Sequence, residues 1–317
     1  MTKLEKAIRK IIYDCLRLKQ TESVLILIDA PYRDLGELFL KSASRVCKNS
    51  VLLEMTLLKH DNQEPPPVIK NLMCQINANI ILTSASLNHT RTLRTVCHHG
   101  ARVLDLSKLT PEIIQRSLNT DFDFIFEKSN RIADLLSIGK TITVTSSAGT
   151  KLTIPIARKK GIADTGRTDE PGIFTTLPAG EACIAPESNK VEGVIIIDGS
   201  LGPLGLIHDP VELKIKEGCI TKIIGNEEAS ILRKALKPFG KEARKLGEFG
   251  IGTNPKAEIT GESLEDEKAL GSVHVAIGDY LFEGGSFGKN CHIDAILRNP
   301  NLQIDGRSII MNGQLLI

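Results

Sequence analysis

The sequence predicts an α/β protein in two parts: an N-terminal open α/β domain over 1–118 and a C-terminal, mainly antiparallel, barrel-like β domain with one helix over 119–317. Three observations carry this. Short apolar runs alternate with helix-period segments up to residue 107. Beyond residue 140, apolar/polar alternation and Gly-containing turns take over. One helix-period stretch, 227–246, interrupts that second pattern.

The elements follow in order. Residues 3–19 place Leu4, Ala7, Ile11, Ile12, Cys15 and Leu16 at helical spacing. VLILID (24–29) is a short apolar run of the kind buried in a parallel sheet, and Ala30-Pro31 ends it. Residues 32–47 put Leu35, Leu38, Phe39 and Ala43 on one helical face, and VLLEMTLL (51–58) is the next strand. EPPP (64–67) breaks the chain ahead of another helix. ANIILTSAS (78–86), a helix over 90–98 and ARVLDLS (101–107) complete an open, mostly parallel sheet. This half has no Gly-rich phosphate loop: the leading glycine that a P-loop needs ahead of Gly139-Lys140-Thr141 is replaced by Asp134. Residues 109–138 read as helical and bridge the halves. KTITVTSSAGTKLTIPIA (140–157) is a hairpin, and 191–200, 211–225, 272–279 and 308–317 are further strands. Glu217-Gly218 and Asn312-Gly313 are good hairpin turns.

Composition narrows the class. At 41% hydrophobic and 25% charged, 317 residues bury a sizeable core unaided, so a bound metal would serve function rather than folding. A net charge of +2, no long charge block and no tryptophan argue against a nucleic-acid partner. Seven scattered cysteines without a CxxC pair exclude a zinc ribbon and suit free thiols in a reducing compartment. The N-terminus lacks the uninterrupted apolar core of a signal peptide, and no run approaches the ~20 residues of a membrane span. The expected location is cytoplasmic, with no membrane partner.

The chemistry concentrates in 248–294, with one outlier at Glu181. His292 and Asp294 project to the same side of an extended segment and can reach one cation. His274 lies in apolar SVHVAIG, on the face of Ala276. Glu248 stands among Gly247, Gly250 and Gly252, which read as a backbone free to take tight conformations beside a ligand. Glu181 sits in LPAGEACIAP, where an unpaired acid is costly. Two histidines and an aspartate suit Fe(II) and part of a zinc site. The two glutamates bring more donors than one cation takes with open positions left. A pair of divalent ions (Zn, Co or Mn) that activates a water for hydrolysis is therefore expected, with Glu181 or Glu248 bridging the metals or moving the proton. Other motifs carry less. GGSFG (284–288) is not followed by the Asp-then-His order of a nucleophile elbow. Cys291 points away from His292 on an extended chain, and SLEDEK (263–268) reads as a solvated charged turn.

LPAGEACIAP, EFGIGTNP, LEDEKALGSVHVAIGD and CHIDAIL, in this order and spacing, resemble the metallo-aminopeptidases of the aminopeptidase T type, from about residue 175 onward. The resemblance implies a metalloprotease: a two-metal hydrolase that removes N-terminal residues from a peptide substrate and works as a homodimer. Its metal ligands would be Glu181, Glu248, His274, His292 and Asp294. One position departs. The family has a tyrosine seven residues after the strand histidine; here Leu281 stands there, and Tyr280 is a displaced candidate. The same half is similar to the ring-cleaving 2,5-dihydroxypyridine dioxygenases, which hold one Fe(II) with two histidines and an aspartate, here His274, His292 and Asp294. A non-catalytic metal-binding relative is the third reading.

Overall fold

A computed structural model describes residues 1–187, 189–278 and 291–317 of the chain. It divides into two compact units, Met1–Phe122 with Gly166–Ala179, and Asp123–Thr165 with Gly180–Ile317. The division at 118/119 is amended accordingly, because 166–179 returns to the first unit. The cause is a short strand, Phe174–Thr176, that pairs in parallel with Arg102–Asp105. Only three residues long and partly exposed, it offers no apolar run to read.

The first unit is a five-stranded parallel sheet in the order Asn49–Glu54, Ser23–Ile28, Ala78–Leu82, Arg102–Asp105, Phe174–Thr176. The helices expected between the strands are present, and local chemistry starts them. Thr2 and Glu5 form a capping box on Lys3–Lys10, and Thr90 and Thr110 cap Arg91–His98 and Pro111–Ser117. The helical stretch 109–138 is two helices, Pro111–Ser117 and Phe122–Ile138. Buried Arg102 ties the unit together. It donates to the Leu16 carbonyl, to the Thr168 carbonyl at 2.5 Å and to Glu22 at 2.7 Å.

The second unit holds two antiparallel sheets. One runs Cys219–Ile224, Val211–Lys216, Glu192–Ile197, Lys151–Pro155, Thr141–Thr145, Asn301–Ile304, Arg307–Met311, Gln314–Leu315. The other runs Gly205–Leu206, Ser200–Leu201, His292–Leu297, Val273–Gly278, Leu246–Gly252, Glu181–Ile184, Ile162–Asp164. Val144, Ile195 and Leu213 of the first share one hydrophobic core with Phe249, Val275 and Ala295 of the second. The hairpin turns stand where the sequence places them, with positive φ at Glu217, Gly218, Asn312 and Gly313. The helix expected over 227–246 stops at Leu236, ahead of Pro238 and of Gly240, whose φ is 73°. The chain is thereby free to start a strand at Leu246, which carries Glu248. Among the described residues no helix is long and apolar enough to cross a membrane.

Candidate metal centre

Strand register assembles the site. In the seven-stranded sheet Glu181 pairs with Gly252, His274 with Gly250, Glu248 with Ala276, Asp294 with Ala276 and His292 with Gly278. Directly paired residues of an antiparallel sheet project to the same face, and alternate residues of a strand share it. Glu181, Glu248, His274, His292 and Asp294 therefore occupy one face. The odd members of the same strands, Phe249, Ile251, Val273, Val275 and Ile277, fill the core on the other.

Glycine makes room on the polar face. A Cβ on Gly250 would lie 2.1 Å from His274 Cε1 and 2.2 Å from Nε2, so the imidazole rests against a bare backbone. A Cβ on Gly252 would lie 2.0 Å from the Ala269 carbonyl oxygen. Neither glycine has positive φ. Their part is space, and the unusual backbone that the sequence suggested around Glu248 is corrected to an ordinary strand with a register shift between Leu246 and Glu248.

The donors form two groups, the first buried and the second partly exposed. His274 Nε2 lies 3.3 Å from Glu181 Oε2 and 3.8 Å from Glu248 Oε1. His292 Nε2 lies 3.1 Å from Asp294 Oδ1, and the Ser263 hydroxyl donates to Asp294 Oδ2 at 3.1 Å. Glu181, Glu248 and His274 are all buried, yet Glu181 Oε2, Glu248 Oε2 and both ring nitrogens of His274 have no hydrogen-bond partner. Buried polar atoms are nearly always paired. Carboxylate oxygens left bare beside imidazole nitrogens are what a cation site presents. The same residues recur in two sets of potential ligands, Glu181 with Glu267 and His274, and Glu181 with Cys183 and Glu248.

Three partners were not legible in the sequence. Lys268 Nζ lies 2.6 Å from Glu181 Oε1, 2.8 Å from Glu267 Oε1 and 3.3 Å from Asp164 Oδ2. The reading of 263–268 as a solvated turn is corrected: Glu265 and Asp266 are fully buried and Lys268 nearly so. Asp266 turns inward to accept the backbone N–H groups of Thr260 and Gly261. A charge run closed at both ends by glycine (Gly261, Gly271), just ahead of the histidine strand, was the available clue. Tyr280, Leu281 and the GGSFG motif lie outside the described residues.

Charge and dryness set the protonation. Burial alone would lower the His274 pKa, but the carboxylates of Glu248, Glu181, Glu267 and Asp294 outweigh it and lift it from 6.5 to about 9. Burial raises Glu267 to about 8, against the pull of Lys268 and with the help of Asp294 and Glu181. Burial would raise Asp294, but the hydrogen bond and charge of His292 hold it below the usual carboxylate range. Burial and the charges of Glu248 and Glu181 push the Cys183 thiol well up, so it stays protonated.

An α/β unit joined to a two-sheet unit with a buried His/carboxylate cluster has the residues that could hold a metal ion. Comparison gives the family: residues 17–317 match NicX, 2,5-dihydroxypyridine 5,6-dioxygenase, and the chain belongs to it. The 2,5-dihydroxypyridine 5,6-dioxygenase of Pseudomonas putida KT2440 is 27% identical over 256 residues, 75% of this chain and 71% of that protein. The solved 2,5-dihydroxypyridine dioxygenase of P. putida KT2440 superposes with a TM-score of 0.83 at 21% identity, over 100% of this chain and 98% of that one. Wild-type AmpT of Thermus thermophilus superposes with a TM-score of 0.71 at 16% identity, over 99% of each chain. At these identities the two structures establish the fold alone.

Family membership overturns the aminopeptidase reading: the family is one of oxidoreductases, and the hydrolase and protease assignments are withdrawn. The error has a physical source. The four motifs describe a sheet face where glycines make room for acids and imidazoles, and they carry no information about the reaction done there.

Two outcomes follow from the geometry. Gly250→Ala drives a methyl into the His274 ring. It is expected to lower Zn(II) or Fe(II) affinity by about 10–100-fold, the size of effect seen when a ligand's support is removed, with the sheet retained by circular dichroism; unchanged affinity contradicts the placement. The second concerns pH. A His274 proton held to about 9 instead of 6.5 stabilises the metal-free protein fully below pH 6.5, and that contribution is lost as pH rises through about 9. A metal needs the neutral imidazole, so uptake at neutral pH expels this proton and affinity climbs across that window. Calorimetry in buffers of different ionisation enthalpy is expected to report proton release, and heats independent of buffer contradict it.

Proposed function

We propose that the chain is a ring-cleaving dioxygenase for a dihydroxylated pyridine, dependent on a single Fe(II) held by His274, His292 and Asp294. The observation that carries this reading is the family match over 17–317, which spans every strand of the site-bearing sheet. The donor chemistry agrees, since two imidazoles and one carboxylate are a ferrous set that leaves positions open. When bound, the ion supplies the electron-transfer chemistry that lets dioxygen react with a spin-paired ring.

The chain's own groups do the rest. Glu181 Oε2 and Glu248 Oε2, dry and without donors, are placed to accept protons from the hydroxyls of an incoming ring. Lys268, at 2.6 Å from the other oxygen of Glu181, fixes that carboxylate's direction. Ser263 fixes Asp294 in the same way. In this reading Glu181 and Glu248 are acid–base groups rather than bridges between two metals. In the overall change, both atoms of one dioxygen enter the product as the bond between ring carbons 5 and 6 breaks.

Protein loaded with Fe(II) under argon and then mixed with 2,5-dihydroxypyridine in aerated buffer is expected to consume about one dioxygen per substrate, the stoichiometry of a dioxygenase. His292→Ala is expected to cost at least about 100-fold in kcat/KM, as loss of a metal ligand requires. Hydrolysis of an aminoacyl anilide by the zinc or cobalt form, with no oxygen uptake by the iron form, would overturn the reading.

A further inference from the structure

We propose that Lys268 is a built-in cation occupying the second-cation position of this centre, so that the site takes one divalent ion and Glu181 is paired to an ammonium group instead of bridging two ions. The inference rests on the metal-binding reading of the His274 face, and it does not depend on the reaction catalysed there.

The geometry is that of a cation cage. An ammonium group has three donors and no acceptor. Those of Lys268 face Glu181 Oε1 at 2.6 Å, Glu267 Oε1 at 2.8 Å and Asp164 Oδ2 at 3.3 Å. The side chain is 7% exposed. Its backbone is pinned from two sides: Lys268 N–H donates to the Glu265 carbonyl at 3.0 Å, and Asn254 N–H donates to the Lys268 carbonyl at 2.8 Å. The position of the charge is therefore set by the fold rather than by a flexible stem.

Glu181 shows what this charge replaces. A bridging carboxylate that spans two cations ~3.5–4 Å apart marks a two-metal centre. Here one oxygen of Glu181 is engaged by Lys268 Nζ, while the other lies 3.3 Å from His274 Nε2 with no hydrogen bond of its own. The carboxylate thus spans from a fixed ammonium to the metal-facing side. A second divalent ion would have to expel the ammonium and leave it buried and unpaired, a strongly destabilising arrangement. With Lys268 beside Glu181, the second cation that the carboxylates suggested is already part of the chain.

Removing the ammonium leaves the carboxyl groups of Glu181, Glu267 and Asp164 as an all-oxygen pocket, which suits a hard divalent ion. The test is metal stoichiometry. Metal-free protein is dialysed to saturation against Mn(II), and bound manganese is read by elemental analysis and by electron paramagnetic resonance. The wild type is expected to hold one Mn(II) per chain with the spectrum of an isolated ion. Lys268→Ala is expected to hold two, with a spin-coupled spectrum, and Lys268→Arg, which keeps the charge, to hold one. Two ions in the wild type overturn the proposal, as does a folded Lys268→Ala that still binds one. If Lys268→Ala does not fold, the wild type and Lys268→Arg decide: one ion in each supports the proposal, and two in either overturns it. A wild type that binds one Mn(II) but shows no oxygenase activity with iron refutes the functional reading and leaves this inference standing. An active oxygenase that binds two overturns this inference and leaves the ring-cleaving activity itself standing.

Discussion

The second unit depends on ionisable groups kept dry on one face of one sheet. Asp164, Glu181, Glu248, Glu267 and Asp294 stand there, paired with Lys268, His274 and His292. Charges taken out of water are tolerated when they are matched closely. Lys268 matches three of the acids. The proton on His274 answers others, which is why its pKa rises despite complete burial. In the reading proposed above, a divalent ion would replace that proton with a larger charge at the same place.

The fold is arranged to hold such a face. The opposite side of the same strands is continuous apolar core, so the register cannot slip by one residue without burying Glu248 and His274 among Phe249, Val275 and Ile277. Gly250 and Gly252 let the imidazole and the Ala269 carbonyl lie against the strand. Stability and chemistry are thus divided between the two faces of each strand.

Much of this was legible in the sequence, for identifiable reasons. The parallel sheet of the first unit shows because its three inner strands are buried on both sides and read as apolar runs such as VLILID. The hairpins at Glu217-Gly218 and Asn312-Gly313 show because their turn residues are diagnostic. Glu181 and His274 stood out as an acid and an imidazole in apolar surroundings, His292 and Asp294 through their i, i+2 spacing, and Glu248 through its glycines. Strand Leu246–Gly252 did not show, since Gly and Glu have weak strand propensity and a basic helical pattern precedes it. Lys268, Glu267 and Asp164 did not show because sequence cannot tell a solvated charge from one paired across the fold, with Asp164 lying 104 residues from its partner Lys268 by their numbering. The return of 166–179 to the first unit rests on three residues of backbone pairing, which leave no pattern.

Reaction class was the least legible property. A peptidase fold-relative and a dioxygenase family share this architecture, so the motifs point to a cation and stop there. What separates the classes is how many cations the face holds and which donors bind them. The most direct measurement is anomalous diffraction at the iron edge from crystals loaded with Fe(II) in the absence of oxygen. The account predicts one iron peak per chain, bonded to His274, His292 and Asp294, with Glu181 still paired to Lys268. Two peaks, or one peak bridged by Glu181 and Glu248 with His292 and Asp294 left outside, would contradict it.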